Sequence, residues 1–347
     1  MPLIRDYVTQ KLLFGHHPVI DSKQCINTIQ QRYPCSKCQE ICPTGVFRRD
    51  QPDWDRCIGC DLCVSACPSR CITLSEDRLR KQLVLVKSHQ DTVSVSCMQS
   101  DSPADLKVGC LYALDWEYLS LLALFHHIIL VFEGCDTCNF LQGSGNFFSQ
   151  MTRAESFLGK ERFRSAFTIT KDPADAQAAG FSRRDLLRLA AESSGQKAAV
   201  FLSGKDEKSH AGFWRSLLVR AAGAAGAGTL CFGYPVFSEN CTACGICEKI
   251  CPSGAIYRVP DETEKTLFHM AVFPSKCSEC GLCEKICPSG AVSAPQPVAE
   301  PDPVRPRIRS IRVKLCSLCK EPLLPGDADS GICRRCAAEK GNSSLFW

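Results

Sequence analysis

The apolar positions of the chain predict a short helix and strand before residue 132. The most apolar stretch, residues 119–132, follows Asp115, a residue type that favours a helix N-terminus. We predict a helix from Asp115 to about His127 and then a buried strand at residues 128–132. The whole stretch is 14 residues long, whereas a membrane-spanning helix needs about 20. We therefore expect no transmembrane segment.

Two more strand-like runs, residues 93–96 and 106–108, precede this helix. Each of the three strands ends at or just before cysteine, and in an α/β sheet the strand ends are where sites are assembled. These cysteines are Cys97, Cys110, Cys135 and Cys138. Four thiolates in one place repel each other unless a cation or a disulfide neutralises them. We predict that they form one site.

The pattern is weaker after residue 150. Residues 150–230 are polar and alanine-rich and predict two helices, near residues 183–193 and 213–222, with a strand at 198–202. Residues 294–306 contain five prolines and no periodicity, which is typical of a semi-rigid linker.

Cysteine is the residue that determines the chemistry. The chain has 26 cysteines in 347 residues, and two complete runs of the form Cys-x-x-Cys-x-x-Cys-x-x-x-Cys-Pro lie in its second half. These runs are Cys241, Cys244, Cys247, Cys251 and Cys277, Cys280, Cys283, Cys287. Such spacing directs the first three thiolates to one iron-sulfur centre and the last to its neighbour. A disulfide framework is typical of short secreted chains instead, so the thiols indicate a reducing, cytoplasmic compartment.

A second pair of runs lies near the N-terminus, and one of them is incomplete. The complete run is Cys57, Cys60, Cys63 and Cys67, and its partner is Cys35, Cys38 and Cys42. The partner lacks its first ligand, because Arg32 stands there and arginine has no lone pair to offer iron. Cys25 supplies the missing thiolate if residues 26–34 loop out. The alternative is a three-iron or labile site with Cys25 as a free cysteine.

The pair of complete runs resembles the bacterial two-cluster ferredoxin over residues 235–292. The resemblance implies two 4Fe-4S clusters whose ligands are Cys241, Cys244, Cys247 with Cys287, and Cys277, Cys280, Cys283 with Cys251. For the N-terminal unit we predict Cys25, Cys35, Cys38 with Cys67, and Cys57, Cys60, Cys63 with Cys42. The chain would then hold four 4Fe-4S clusters.

Residues 92–148 resemble the delta subunit of methyl-viologen-reducing hydrogenase, through the segments 108–111, 132–138 and 145–146. That resemblance implies a 2Fe-2S cluster and electron transfer to a heterodisulfide-reductase-type partner. This chain departs from the family because two residues separate its last cysteine pair and Cys97 stands alone in the first segment. A 2Fe-2S cluster, zinc, a redox-active dithiol and inert cysteines all remain open for this site.

The C-terminal segment predicts a zinc ribbon. Cys316-x-x-Cys319 and Cys333-x-x-Cys336 are separated by 13 residues, a spacing typical of a four-thiolate zinc site, with rubredoxin-like iron as the alternative. A basic run precedes the ribbon, and it contains Arg305, Arg307, Arg309, Arg312 and Lys314. We interpret the run as a solvated strand face or docking arm, with nucleic-acid binding as the alternative. The net charge of +4 favours neither nucleic acid nor a membrane surface. Cys71 and Cys231 remain unassigned.

These patterns predict an α+β multidomain chain with two ferredoxin-like dicluster units, a small α/β domain between them and a C-terminal zinc ribbon. The predicted parts are residues 1–75 (dicluster ferredoxin), 76–150 (α/β cysteine-site domain), 151–230 (helical connection), 231–293 (second dicluster ferredoxin), 294–312 (proline-rich linker) and 313–347 (zinc ribbon).

Such a chain is expected to carry electrons rather than transform a substrate. The sequence has no dinucleotide fingerprint, no phosphate-binding loop and no evident Ser/His/Asp arrangement. We predict an electron-transfer subunit, without a substrate site of its own, in a larger soluble anaerobic complex. Its partners would be redox subunits at both ends of the path, hydrogenase- or heterodisulfide-reductase-like or flavin-linked. The alternatives are a dithiol or disulfide reductase fed by the clusters, an iron-sulfur sensor or nucleic-acid-binding protein, and an assembly scaffold.

Overall fold

The structure, a computed structural model, describes residues 17–47, 51–138, 144–172, 213–224, 230–300, 304–324, 326–327 and 330–343. The chain forms two compact units. The first comprises residues 1–22 and 35–228, and the second comprises residues 23–34 and 229–347. The predicted helix at 183–193 and strand at 198–202 lie outside the described residues.

A parallel four-stranded sheet forms the centre of the first unit. Its strands β3 (Thr92–Cys97), β4 (Leu106–Val108), β5 (His127–Val131) and β6 (Phe167–Thr170) follow the order β4-β3-β5-β6. Val93, Val95, Ile128 and Leu130 are fully buried, as expected for a parallel sheet covered by helices. A separate two-stranded pair joins β1 (Val19–Ile20) to β2 (Ile72–Thr73).

Five longer helices accompany the sheet: Glu76–Val86, Trp116–Ala123, Ser144–Leu158, Lys160–Ala166 and Phe213–Ala224. The predicted cap is confirmed, since the Asp115 side chain accepts a hydrogen bond from the Glu117 backbone N–H at 2.8 Å. That helix ends at Ala123, and β5 begins at His127 rather than at residue 128. The helix predicted at 213–222 is also present.

The sequence analysis missed β6 and the helix Glu76–Val86. β6 has four residues, too few to show a period, and it lies beyond residue 150, where we expected a helical connection. The helix Glu76–Val86 buries Arg78 and Gln82 beside Leu85, so its inner face is largely polar. The apolar Leu79, Leu83 and Val86 do stand at helical spacing, but they are only half-buried, so the apolar pattern does not mark the most buried face of this helix.

Four five-residue helices repeat along the chain, and each ends at the residue before a Cys-Pro pair. They are Lys37–Ile41 and Leu62–Ala66 in the first unit, and Ile246–Ile250 and Leu282–Ile286 in the second. The helices pack against each other within each pair. The N-terminal unit thus repeats the helix pairing of the second unit, although its first cysteine run is incomplete.

The second unit is built from antiparallel strands. β8 (Ile256–Pro260), β9 (Leu267–Val272) and β11 (Arg307–Arg312) form a sheet in the order β11-β9-β8. β7 (Leu230–Tyr234) pairs with β10 (Gln296–Glu300). One helical turn, Ile26–Ile29, also belongs to this unit.

The proline-rich segment, which we predicted to be a linker, contains a β-strand. Residues 296–300 form β10, which is hydrogen-bonded to β7 alone. Proline lacks an N–H donor, but an edge strand tolerates it because one side of the strand makes no ladder bonds. The basic run that follows forms β11, as the strand interpretation predicted.

The C-terminal segment forms a small separate core of Cys316, Leu323 and Cys336, followed by the helix Arg334–Ser343. No helix among the described residues is both long and apolar enough to cross a bilayer.

Candidate metal centres

The loops that carry the complete cysteine runs share an unusual backbone conformation. The residues on either side of the second cysteine all have left-handed φ angles: Gly59, Asp61, Ala243, Gly245, Glu279 and Gly281. The bends point backbone N–H groups at sulfur, and Ala243 donates to Cys241 Sγ at 3.4 Å. Non-glycine residues adopt this conformation at a cost of about 1–2 kcal/mol, so the loops are shaped to present the cysteines.

Each Cys-Pro cysteine has a hydroxyl group two residues later. The sulfur-to-oxygen distances are 3.7 Å for Thr44, 3.7 Å for Ser69, 3.6 Å for Ser253 and 3.4 Å for Ser289. In three of the loops, a backbone N–H four residues on also donates to the sulfur at 3.3 Å; the donors are Val46, Ala255 and Ala291. Donors of this kind stabilise a negatively charged sulfur.

The first three cysteines of the complete N-terminal run, Cys57, Cys60 and Cys63, each interact with Cys42. Burial raises the pKa of Cys60 to about 12 and that of Cys63 well above its ordinary value, and the neighbouring Cys42 adds to both shifts. Burial, Asp61 and Cys42 likewise raise the pKa of Cys57. These interactions agree with the predicted ligand set, and without a cation these thiols would stay protonated.

The ligands predicted for the other N-terminal cluster do not all lie in one compact unit. The Cys67 sulfur lies 3.5 Å from that of Cys71, which is 4% exposed, and this contact lowers the pKa of Cys67 to about 6. Cys25 belongs to the second compact unit, whereas Cys35 and Cys38 belong to the first. Cys25 as a cluster ligand stays a prediction.

The second unit brings its cysteines together across the two runs. Burial, Cys244, Cys241 and then Cys287 govern the pKa of Cys247, which rises to about 12. Burial raises the pKa of Cys280 and Cys283, and Cys251 contributes to both. These interactions agree with the arrangement that the ferredoxin resemblance implies, in which each Cys-Pro cysteine lies beside the opposite run.

The cysteines at or just after the ends of β3, β4 and β5 line one cavity. Because β3, β4 and β5 are parallel, their carboxyl ends share one edge of the sheet. A cavity of about 50 Å³ there is lined by Cys97, Cys110, Cys135 and Cys138. Burial and the neighbouring thiols raise the pKa of Cys110 to about 12 and that of Cys135 to about 11. The prediction that these four cysteines share one place agrees with this geometry.

The C-terminal cysteines are closer together. All four sulfurs of Cys316, Cys319, Cys333 and Cys336 lie within 4.8 Å of one another, and the separation between Cys319 and Cys333 is 3.7 Å. Four thiolates bound tetrahedrally at about 2.3 Å lie about 3.8 Å apart. The C-terminal group therefore fits a single metal ion.

A network that the sequence did not reveal joins Asp261, His269 and Ser310. His269 Nε2 lies 3.1 Å from Asp261 Oδ2, and its Nδ1 lies 3.0 Å from Ser310 Oγ. Asp261 Oδ1 also accepts hydrogen bonds from Thr263 and Glu264, which close the turn between β8 and β9. The network fastens that turn to β11, and only the strand register, in which Ser310 pairs with His269, makes it visible.

Comparison with known families locates two of the cysteine regions. Residues 240–291 match the 4Fe-4S dicluster domain, and residues 51–73 match the 4Fe-4S binding domain. The chain carries two ferredoxin-type 4Fe-4S domains. The second match includes the run that starts at Cys57 but not the incomplete run that starts at Cys35.

Individual relatives share short parts of the chain. The thiosulfate reductase electron transfer subunit PhsB of Salmonella typhi is 56% identical over 36 residues, 9% of this chain and 19% of PhsB. The pyruvate synthase subunit PorD is 31% identical over 61 residues in Methanocaldococcus jannaschii (16% of this chain, 63% of PorD). The PorD of Methanothermobacter marburgensis is 29% identical over 62 residues (18% of this chain, 68% of PorD). The chain thus spans about a fifth of PhsB and under two thirds of the first PorD.

Proposed function

We propose that this protein is an electron-transfer subunit of a larger, cytoplasmic, anaerobic redox complex. It would hold four 4Fe-4S clusters, one further centre at Cys97, Cys110, Cys135 and Cys138, and zinc at the C-terminal ribbon. Clusters of this type accept and release single electrons without making or breaking bonds. The protein's own residues supply the thiolates, the N–H donors to sulfur and the exclusion of water.

One observation carries the proposal: the same five-residue helix precedes every Cys-Pro pair, and in each unit two such helices pack together. This pairing supports the proposal that cysteines of two runs surround shared positions, which is what neighbouring clusters require. PhsB is by name an electron transfer subunit and PorD a subunit of pyruvate synthase. Redox subunits as partners at both ends of the path fit these similarities.

A 2Fe-2S cluster is the centre that we propose at the sheet edge. Four cysteines line its cavity, which is the number of thiolate ligands that a 2Fe-2S cluster takes. A 2Fe-2S cluster would continue the electron path, and the resemblance to the hydrogenase delta subunit supports the same choice.

A dithiol reductase that uses Cys135 and Cys138 is less well supported. The attacking cysteine of such an enzyme usually has a lowered pKa. Here burial, Cys97 and Cys138 raise the pKa of Cys135 to about 11. A thiol with this pKa is almost fully protonated near neutral pH, so it would be a poor nucleophile but a good ligand once a cation displaces its proton.

Metal analysis of anaerobically purified protein tests the proposal. We expect about 16 iron atoms from four 4Fe-4S clusters, about two more at the sheet edge and one zinc ion. Cys110→Ser should remove about two iron atoms and one electron paramagnetic resonance (EPR) species, and leave the 4Fe-4S signals intact. Cys71→Ser, a buried cysteine outside every proposed ligand set, is the matched control. Unchanged iron and zinc in the Cys110 variant would contradict the sheet-edge site.

A further inference from the structure

In the first unit, the loop that carries Cys60 directly touches the segment that carries Cys110. A Cβ atom placed on Gly109 would lie 2.3 Å from the carbonyl oxygen of Gly59 and 2.9 Å from the carbonyl carbon of Cys60. Gly109 is not among the residues with a left-handed φ. Glycine is therefore required here because two backbones approach each other, and not because the backbone is bent.

The loop that faces Gly109 is fixed by buried contacts of Arg78. The buried Arg78, on the helix Glu76–Val86, donates a hydrogen bond from Nη1 to the Gly59 oxygen at 2.7 Å. The same guanidinium pairs with Asp61, whose Oδ2 lies 2.8 Å from the Cβ position of Gly109. The atoms that an added methyl group would meet are thus backbone atoms and a paired carboxylate. Neither can move aside without breaking a buried contact.

The contact lies between two of the proposed metal sites. Gly59 and Cys60 belong to the loop of the N-terminal 4Fe-4S domain, and Gly109 immediately precedes Cys110 at the sheet edge. The short turn Leu111–Ala113 also packs on the helix Leu62–Ala66 that follows Cys60.

We infer that the contact between Gly59 and Gly109 is the passage for electrons between the 4Fe-4S site of Cys60 and the sheet-edge site of Cys110, with Gly109 as its positioning residue. The inference rests on the proposed function, because it needs a redox centre at both sites. One electron leaves the first site, which is oxidised, and enters the second, which is reduced; no bond breaks and no proton moves. Electron exchange weakens steeply with separation, so the missing side chain at position 109 keeps the exchange fast.

The variant Gly109→Ala tests the inference in the full chain. It should keep the iron content of the parent, because it removes no ligand. Reduced stepwise with sodium dithionite, the parent should show magnetic coupling between the two centres by EPR, and the variant should lose this coupling. In freeze-quench samples the second centre should be reduced more slowly in the variant.

Gly159→Ala is the control in the same unit. Its added methyl group meets nothing within 4 Å, but its φ of 80° and ψ of 153° lie in a region that favours glycine, so the substitution is destabilising without touching the contact. It should retain the coupling and the exchange rate of the parent, which separates loss of the contact from general loss of stability.

The outcomes distinguish this inference from the proposed function. If both iron species are present and Gly109→Ala behaves like the parent, the passage is refuted and the proposed function stands. If the Cys110→Ser comparison shows no iron at the sheet edge, the proposed function fails first. Should Gly109→Ala not fold, the relaxation of the N-terminal 4Fe-4S signal is compared between the parent and Cys110→Ser. Relaxation that does not slow when the neighbour is removed would refute the passage.

Discussion

Arg70 occupies a position at which the other Cys-Pro loops have glycine. Its φ is 58°, and the equivalent Gly45, Gly254 and Gly290 have φ of 67°, 59° and 60°. Arginine is disfavoured in this conformation by about 1–2 kcal/mol. Its guanidinium, however, makes a two-pronged ion pair with Glu117, which is fully buried. The ion pair explains why an unfavourable residue stands in this loop.

Glu117 is shared by two arginines. Arg215, which is 2% exposed, donates from Nε to Glu117 Oε1 at 2.6 Å, and the same oxygen accepts from Arg70 Nη2 at 2.8 Å. Burial alone would raise the pKa of Glu117, but Arg70 and Arg215 outweigh it, and the pKa is lowered. The carboxylate therefore remains ionised in the interior and depends on both partners.

We expect Arg70→Ala to destabilise the first unit by about 3 kcal/mol, since it leaves the buried Glu117 carboxylate with Arg215 as its remaining cationic partner. Denaturant unfolding of the full chain, monitored by circular dichroism, measures the change in the free energy of unfolding. Arg80→Ala is the control, because its ion pair with Glu76 is exposed (72% and 86%) and worth about 0–1 kcal/mol. Equal stabilities of the two variants would show that Glu117 does not depend on Arg70.

Cys25 and Cys71 give a second comparison at this scale. If Cys25 replaces the ligand lost at Arg32, Cys25→Ala should lose one 4Fe-4S cluster or convert it to a three-iron form. Cys71 stands where the other loops have Val46, Ala255 and Ala291, so Cys71→Ala restores the usual residue type and should keep all iron. Iron analysis with EPR decides between them. Full iron content in Cys25→Ala would exclude the looped-out ligand.

At the scale of elements, the sequence was informative where a short apolar run ended in cysteine. β3, β4 and β5 were predicted, and their parallel pairing places their cysteines at one edge. β6 was missed because a strand of four residues is too short to show a period. β10 was missed because the prolines in and around it favoured a linker. Both elements depend on a neighbouring strand for their hydrogen bonds, which no local pattern expresses.

The C-terminal group should be separable from the iron sites if it holds zinc. β11 must be kept, because Ile311 is buried in the core of the second unit, so the truncation is placed after Leu315. We expect the truncated protein to lose its zinc and to keep its iron content and cluster reduction, because a closed four-thiolate zinc site has no redox chemistry. The full-length variant Cys319→Ser is the control. It should lose the zinc and keep the rest of the C-terminal segment. A fall in iron content, or loss of a rubredoxin-like spectrum, would speak against zinc.

At the scale of the whole molecule, cysteine spacing predicted the two ferredoxin-type domains, and the family comparisons agree. Contacts between distant segments were not predictable. The approach of Gly109 to Gly59, the pairing of Arg70 with Glu117 and the network of His269 each join residues more than seven positions apart. A spacing rule describes one loop at a time, whereas these contacts depend on how loops and strands are packed.

The edge position of β11 has a consequence for the protein before its metals are inserted. β11 ends its sheet, and its backbone and Ile308, 62% exposed, would accept a strand of another chain. Arg309 and Arg312 are exposed on the same strand, and cations at a sheet edge oppose pairing between two copies. We therefore expect the charge on this edge strand to hinder association between newly made chains, at the strand that precedes the last group of cysteines.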